Sequence, residues 1–341
     1  MSFQFHLKKR LPAFLLILSL LAVTLSGCGN TQSTSKTSGK KVVLNEVAHS
    51  IFYAPMYVAI EESYFEDLGI DISLTTGFGA DKTMTAVLSG EADIGFMGPE
   101  TTVYAYNEGA SDAVVNFAQL TQRAGNFLVA REPMENFSWS DLKGKNVLGG
   151  RAGGMPEMDF EFVLKKNNIN PATDLSIDQS IDFGSTAAAF SGGLGDFTVE
   201  FEPSATALET EKSGYVVASL GVDSGYVPYT AFSAKKSYIE ENPDTIQAFT
   251  DALQKGMQYV NEHTSEEIAA VIAPQFPDTD LATVAAIVDR YQKQDTWKTD
   301  VIFTEDAYHL LLDILEESGQ LDSRPQYEDL IDTQFAEKAA K

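Results

Sequence analysis

Cysteine is nearly absent from this sequence: Cys28 stands alone in a chain of 341 residues. An internal disulfide is therefore excluded, and so is any metal centre built on several thiolates. Histidine is scarce as well, with His49, His263 and His309 far apart and no H-E-x-x-H pairing. No G-x-x-x-x-G-K-[ST] loop occurs, which removes the P-loop nucleotide binders. Neither a calcium loop nor a G-x-S-x-G elbow marks a cation site or a nucleophilic serine. No catalytic residue, no metal and no cofactor is assigned. Positive charge is the other shortage: 24 Lys and Arg face 49 Asp and Glu, a net charge of −25. Nucleic acid is thereby disfavoured as a partner, because its binding needs a cationic face.

Long apolar runs are missing too, with one exception. "LPAFLLILSLLAVTLSG" (11–27) follows Lys8, Lys9 and Arg10 and is apolar for 17 residues. That is short of the roughly 20 residues a membrane span needs, and polar sequence follows at once. Residues 1–27 are expected to be a secretory signal. "LSGC" places Cys28 behind small residues, which resembles the lipobox of bacterial lipoproteins. The resemblance implies lipidation of Cys28 and an exported protein anchored to the outer face of the bacterial cytoplasmic membrane. Residues 28–40, ending in "GNTQSTSKTSGK" and rich in Ser, Thr and Gly, are expected to form a flexible tether. All three basic residues of the signal leave with it, so the remaining chain is more acidic still and gains no electrostatic hold on anionic lipid.

What is present is an alternation of strand and helix patterns. "KVVLNEV" (41–47), "IDISLTT" (70–76), "ADIGFMG" (92–98) and "AVVNFAQL" (113–120) have strand character. The stretches 55–69, 80–90 and 99–109 between them have helical spacing. A second such block starts at "DLKGKNVLGG" (141–150) and its helix 155–168. After about residue 235 the pattern is helical almost throughout, as in "NPDTIQAFTDALQKGMQYVNEH" (242–263). The expected fold class is α/β, two lobes each carrying a mainly parallel sheet flanked by helices, with a helical C-terminal tail. "AREPMENFSWS" (130–140) and "SGYVPYTAFSA" (224–234) are the expected crossovers.

A set of loops lies at strand ends: "AHSIFYAP" (48–55), "TGFGAD" (76–81), "GPET" (98–101), "LTQRAGN" (120–126), "GGRAGGMPE" (149–157), "DFGST" (182–186) and "FEPSA" (201–205). In open α/β sheets ligands collect at the carboxyl ends of strands. Three of these loops open helices, whose first turns offer spare amides and a partial positive charge. The glycines at 149–154 would let backbone approach a bound small molecule; the alternative is a tight turn with nothing bound.

"YVAIEESYFEDLGIDISL", "AVLSGEADIGFMGPE", "DLKGKNVLGGRAGGMPE" and "FEPSATALE" together resemble the solute-binding proteins of ABC importers. The nearest group includes alkanesulfonate, nitrate and thiamine-pyrimidine binders. The resemblance, over about residues 42–320, implies a type II periplasmic-binding-protein-like clamp and a monomer that delivers a small-molecule ligand to permease subunits. Lobe one would be 41–131 plus 232–341, and lobe two 132–231. Ser50, Gly79 and Thr101 fall in the ligand-facing loops. Phe52 and Tyr53 would stack on a flat ligand or pack the core. Glu100 would accept a ligand N–H or cap its helix. Gly153, Gly154 and Met155 would supply amides and an apolar wall. Glu202 would be a cleft carboxylate or would pair with Arg151. Tyr229 would touch ligand or pack the hinge. Aromatics plus Glu202 favour a pyrimidine-like vitamin precursor, and the helix starts favour a sulfonate. A yeast pyrimidine-synthesising enzyme resembles this fold, but its cysteine-rich run is missing here. A surface adhesion module is a third reading, and it would gain no stability from small molecules.

Overall fold

The structure is a computed structural model that describes residues 39–181 and 184–341. The expected signal, Cys28 and the tether up to residue 38 lie outside the described residues, as do Asp182 and Phe183 of the "DFGST" loop. Among the described residues ten strands follow in order: β1 (Lys40–Glu46), β2 (Ile70–Thr76), β3 (Ile94–Met97), β4 (Val114–Thr121), β5 (Asn126–Ala130), β6 (Asn146–Leu148), β7 (Ser176–Asp178), β8 (Phe197–Phe201), β9 (Tyr215–Ser219) and β10 (Thr230–Lys235).

They form two sheets of matching plan, β2-β1-β3-β10-β4 and β7-β6-β8-β5-β9. In each, four strands run one way and a single strand runs against them, β10 in the first and β5 in the second. Those two antiparallel strands are the ones the chain inserts on changing sheets. It leaves the first sheet over residues 122–125 and returns over 220–229. The first crossover thus lies upstream of the expected 130–140, because Asn126–Ala130 already pairs with β8 and β9. Its "NFLVA" run is apolar without alternation, so nothing in the sequence separated it from the neighbouring loop. The expected boundary at 131/132 accordingly falls after a strand that pairs only within the second sheet.

Local chemistry explains most element ends. The expected helix 55–69 is two pieces, Ala54–Glu61 and Tyr64–Asp67, broken where Ser63 takes φ 58. Thr264 and Glu267 form a reciprocal capping box at the start of Ser265–Ile272. Helix Pro243–Glu262 packs across Ala54–Glu61, and Gly256 permits the contact: a Cβ there would sit 2.1 Å from the Pro55 carbonyl oxygen. Beneath it Phe96 stacks on Phe232 at 4.2 Å, with Phe249 edge-on at 5.4 Å. Further along the tail, helix Glu305–Glu317 rests on Met155–Lys166 of the second lobe. Among the described residues no helix is long and apolar enough to cross a membrane.

Candidate functional site

Strands β1, β2 and β3 of the first lobe, and β6 and β8 of the second, end toward one another. The loops that follow them enclose two adjoining cavities, of about 50 and 140 Å³, that share Pro156 and Phe201 as a common wall. Each cavity takes residues from both lobes, the arrangement expected at strand carboxyl ends.

The smaller cavity is walled by Tyr53, Phe201, Tyr229 and Met155, with Glu100 and Arg151 as its charged groups. Glu100 opens helix Glu100–Asn107 and is 1% exposed. Its Oε1 accepts a hydrogen bond from the Met155 amide at 3.4 Å, across the cleft. Its Oε2 is buried and has no protein partner. Burial pushes this carboxyl up to about 7, against the opposing pull of the Arg151 charge. Two further contacts draw the lobes together here. The Tyr104 hydroxyl donates to the Gly153 carbonyl at 2.9 Å, and Arg151 Nε lies 3.6 Å from Asp81.

The larger cavity is lined by His49, Ser50 and Phe78 from the first lobe and by Thr186, Glu200 and Glu202 from the second. His49 is fully engaged: Nδ1 meets Glu46 at 2.8 Å and Nε2 meets the Gln275 carbonyl at 2.8 Å. The Glu46 contact raises its pKa, favouring the imidazolium. Ser50 donates to the Glu202 carbonyl at 2.6 Å, another link across the cleft. Glu200 accepts from Thr198 at 2.6 Å and is pushed up to about 7 by burial. Phe78 stands at the mouth, 57% exposed and held at φ 55.

Of the residues singled out from sequence, Tyr53, Gly79, Glu100, Arg151, Gly154, Met155 and Tyr229 surround the smaller cavity, and Ser50 and Glu202 the larger. Three do not line either. Phe52 packs among the rings of Tyr53, Phe201, Tyr229 and Tyr291, and its carbonyl accepts from the Trp297 indole at 2.8 Å. Thr101 turns its hydroxyl back onto the Gly98 carbonyl at 2.8 Å. Gly153 spends its amide on Glu157 and its carbonyl on Tyr104. Glu202 pairs with Arg290 at 2.6 Å rather than with Arg151, and its other oxygen accepts from the Thr206 amide at 2.9 Å. Sequence reasoning missed Glu200, His49, Phe78, Phe201 and Arg290. A signal for Glu200 existed: in "FTVEFEP" the polar Thr198 and Glu200 alternate with apolar residues along β8 and so share a face, and Glu202 continues the spacing just past the strand end. Among the described residues no group of three or more His, Cys, Asp or Glu is placed to hold a metal ion.

Matching sheets, paired crossovers and a cavity between opposed strand ends define a two-lobed periplasmic-binding-protein-like fold. The chain belongs to the NMT1/THI5-like family, whose model matches residues 51–267. A protein of Bacillus subtilis (strain 168), YtlA, provisionally named as a binding protein, is 45% identical over 298 residues, 87% of this chain and 89% of its own. Among solved structures, the alkanesulfonate-binding protein SsuA from Xanthomonas axonopodis pv. citri superposes with a TM-score of 0.70 at 15% identity, covering 87% of this chain and 99% of that one. The desulfurization enzyme DSZB superposes with a TM-score of 0.64 at 12% identity, over 88% and 98%. One backbone therefore serves a binder and an enzyme, and the choice between them rests on the site.

Proposed function

We propose that the protein is an extracytoplasmic solute receptor of an ABC importer, a monomer tethered through lipidated Cys28, that hands a small aromatic, amino-bearing ligand of the pyrimidine type to permease subunits. The observation that carries the ligand class is the unpartnered Glu100 Oε2 inside a cavity walled by aromatic rings. A buried acceptor without a donor is costly, and a ligand N–H removes that cost. Tyr53, Phe201 and Tyr229 suit a flat ring. The receptor role is supported by membership of the family, by the binding-protein name of YtlA and by the fold shared with SsuA.

Closure needs no covalent chemistry. The cross-cleft contacts of Glu100, Tyr104, Arg151 and Ser50 are each worth about 1 kcal/mol or less. They hold the lobes together only weakly, and a ligand that touches both lobes shifts the balance by its differential affinity. Capture in the micromolar to nanomolar range corresponds to about −8 to −12 kcal/mol. His49, the histidine nearest the cavities, has both ring nitrogens occupied and is poorly placed for acid–base chemistry.

A sulfonate is the second reading, favoured by Arg151 and by the start of helix Ala80–Ser89, which no side chain caps. Calorimetric titration with aminopyrimidines and with alkanesulfonates separates the two. Aminopyrimidine binding that weakens at least tenfold in Glu100→Gln is the expected result. Tight sulfonate binding with no aminopyrimidine response would reverse the choice.

A further inference from the structure

The charges that line the two cavities do not balance. Three ionic side chains of the lining are already paired: Glu202 with Arg290, His49 with Glu46, and Arg151 with Asp81 at 2.6, 2.8 and 3.6 Å. Two carboxylates remain, Glu100 in the smaller cavity and Glu200 in the larger. Both are almost fully buried, at 1% and 4% exposure. Neither has a lysine or arginine within ion-pair distance among the described residues. They come from opposite lobes, Glu100 from the helix after β3 and Glu200 from β8 itself, and they flank the wall formed by Pro156 and Phe201.

We propose that this cleft is built for a cation: its solute carries an ammonium or amidinium group on a flat ring and places N–H donors against Glu100 and Glu200, one in each cavity. The inference rests on the receptor reading above and narrows its ligand class. A neutral ring would satisfy hydrogen bonds but bring no charge to two desolvated carboxylates, of which only Glu100 feels a nearby cation, Arg151. A cation supplies charge-assisted hydrogen bonds, the strong kind, in a setting where water does not screen them. The faces of Tyr53, Phe201 and Tyr229 add attraction for a positive group lying over them. An anion meets the opposite situation, since like charge in a buried site repels strongly. On this reading the chain shares its backbone with SsuA and differs from it in the sign of the solute it admits.

The test uses three probes of one shape and different charge: benzamidinium, benzamide and benzoate. Calorimetry at pH 8 should show benzamidinium binding at least tenfold tighter than benzamide, with no heat from benzoate. Glu200→Gln and Glu100→Gln should each shrink that ratio several-fold. Glu132→Gln, an exposed acid outside both cavities, should leave it unchanged, and circular dichroism should confirm that all three variants are folded. Benzamide binding as tightly as benzamidinium, or benzoate binding tighter, overturns the cation preference and leaves the receptor reading standing. So does failure of all three probes when aminopyrimidines still bind. Loss of every response, aminopyrimidines and sulfonates included, overturns both.

Discussion

In the first lobe the edge strand β4 is buried along its whole length, whereas its counterpart in the second lobe, β9, contains no buried residue. The strand order is the same, so topology is not the cause. The first sheet is covered by the C-terminal tail: Pro243–Glu262 lies over Ala54–Glu61, and Gln334–Ala339 over β4. Among the described residues the second sheet has one long helix, Met155–Lys166, and otherwise short ones such as Thr186–Ser191 and Ser204–Thr210. The difference assigns roles. A deep core suits the first lobe to hold Tyr53 and Glu100 in place, and the thinner second lobe is expected to be the less stable of the two.

The largest effect should therefore come from the first lobe. Phe249 is fully buried between Phe65, Phe117 and Phe232. Phe249→Ala should cost about 3–5 kcal/mol, the range for a buried aromatic whose cavity cannot collapse. Phe137 of the second lobe is half-buried and edge-on to Trp139, and Phe137→Ala should cost about 1 kcal/mol. Urea unfolding measures both. Equal costs would mean that the two lobes differ in shape and not in energy.

A smaller effect separates the lobes by pH. Five buried acids are pushed upward, chiefly by burial: Glu100, Glu157 and Glu200 to about 7, Asp159 to about 8, and Glu202 as well. All but Glu100 belong to the second lobe. A carboxyl raised above its unfolded value binds its proton more tightly when folded. Its contribution is present in full below the unfolded pKa and is lost as pH rises through 7 to 8. The ligand-free protein should thus lose stability from pH 5 to pH 8, on the order of 2 kcal/mol for each group raised to about 7 or 8. Glu200→Gln should flatten that loss and be more stable than the parent at pH 8. Thermal melts across the range read this directly, and an unchanged slope in Glu200→Gln would place the titration elsewhere.

The same asymmetry explains what the sequence made legible. Strands of the first lobe announced themselves, because β1 holds a short apolar run and β2 alternates apolar and polar residues, with Gly77 closing the second. So did the glycine loop at 149–154, since Gly150 and Gly153 adopt φ values of 88 and 69 that favour glycine. Helix starts at residues 80, 100 and 155 led to Glu100, Gly154 and Met155 for the same reason: an N-terminus is a local signal. Which alternative holds for Phe52, and which cation pairs with Glu202, was not legible because their partners are remote. Tyr291 and Trp297 reach Phe52, and Arg290 reaches Glu202, from a tail some 90 to 240 residues downstream. No local pattern encodes those meetings. Glu200 was missed although its alternation with Thr198 and Glu202 was visible, because its importance lies in having no cation opposite it.

Arg290 offers the smallest and most discriminating comparison. It sits on helix Leu281–Lys293 of the tail and reaches two acids of the second lobe, Glu202 at 2.6 Å and Glu209 at 3.3 Å. Glu202 has no exposed side-chain surface, whereas the guanidinium is about one-third exposed, so water softens the pair. Arg290→Ala should cost about 1–2 kcal/mol, less than a fully buried pair would, and most of it should vanish when Glu202→Gln is already present. Because Arg290 joins the lobes without itself lining either cavity, its loss should favour the open form. Solution scattering should then show a larger radius of gyration without ligand, and ligand affinity should fall roughly five- to tenfold with no contact removed. Phe137→Ala, confined to one lobe, should change neither. If Arg290→Ala also leaves scattering and affinity untouched, the tail does not hold the second lobe, and closure depends on the cavity walls alone.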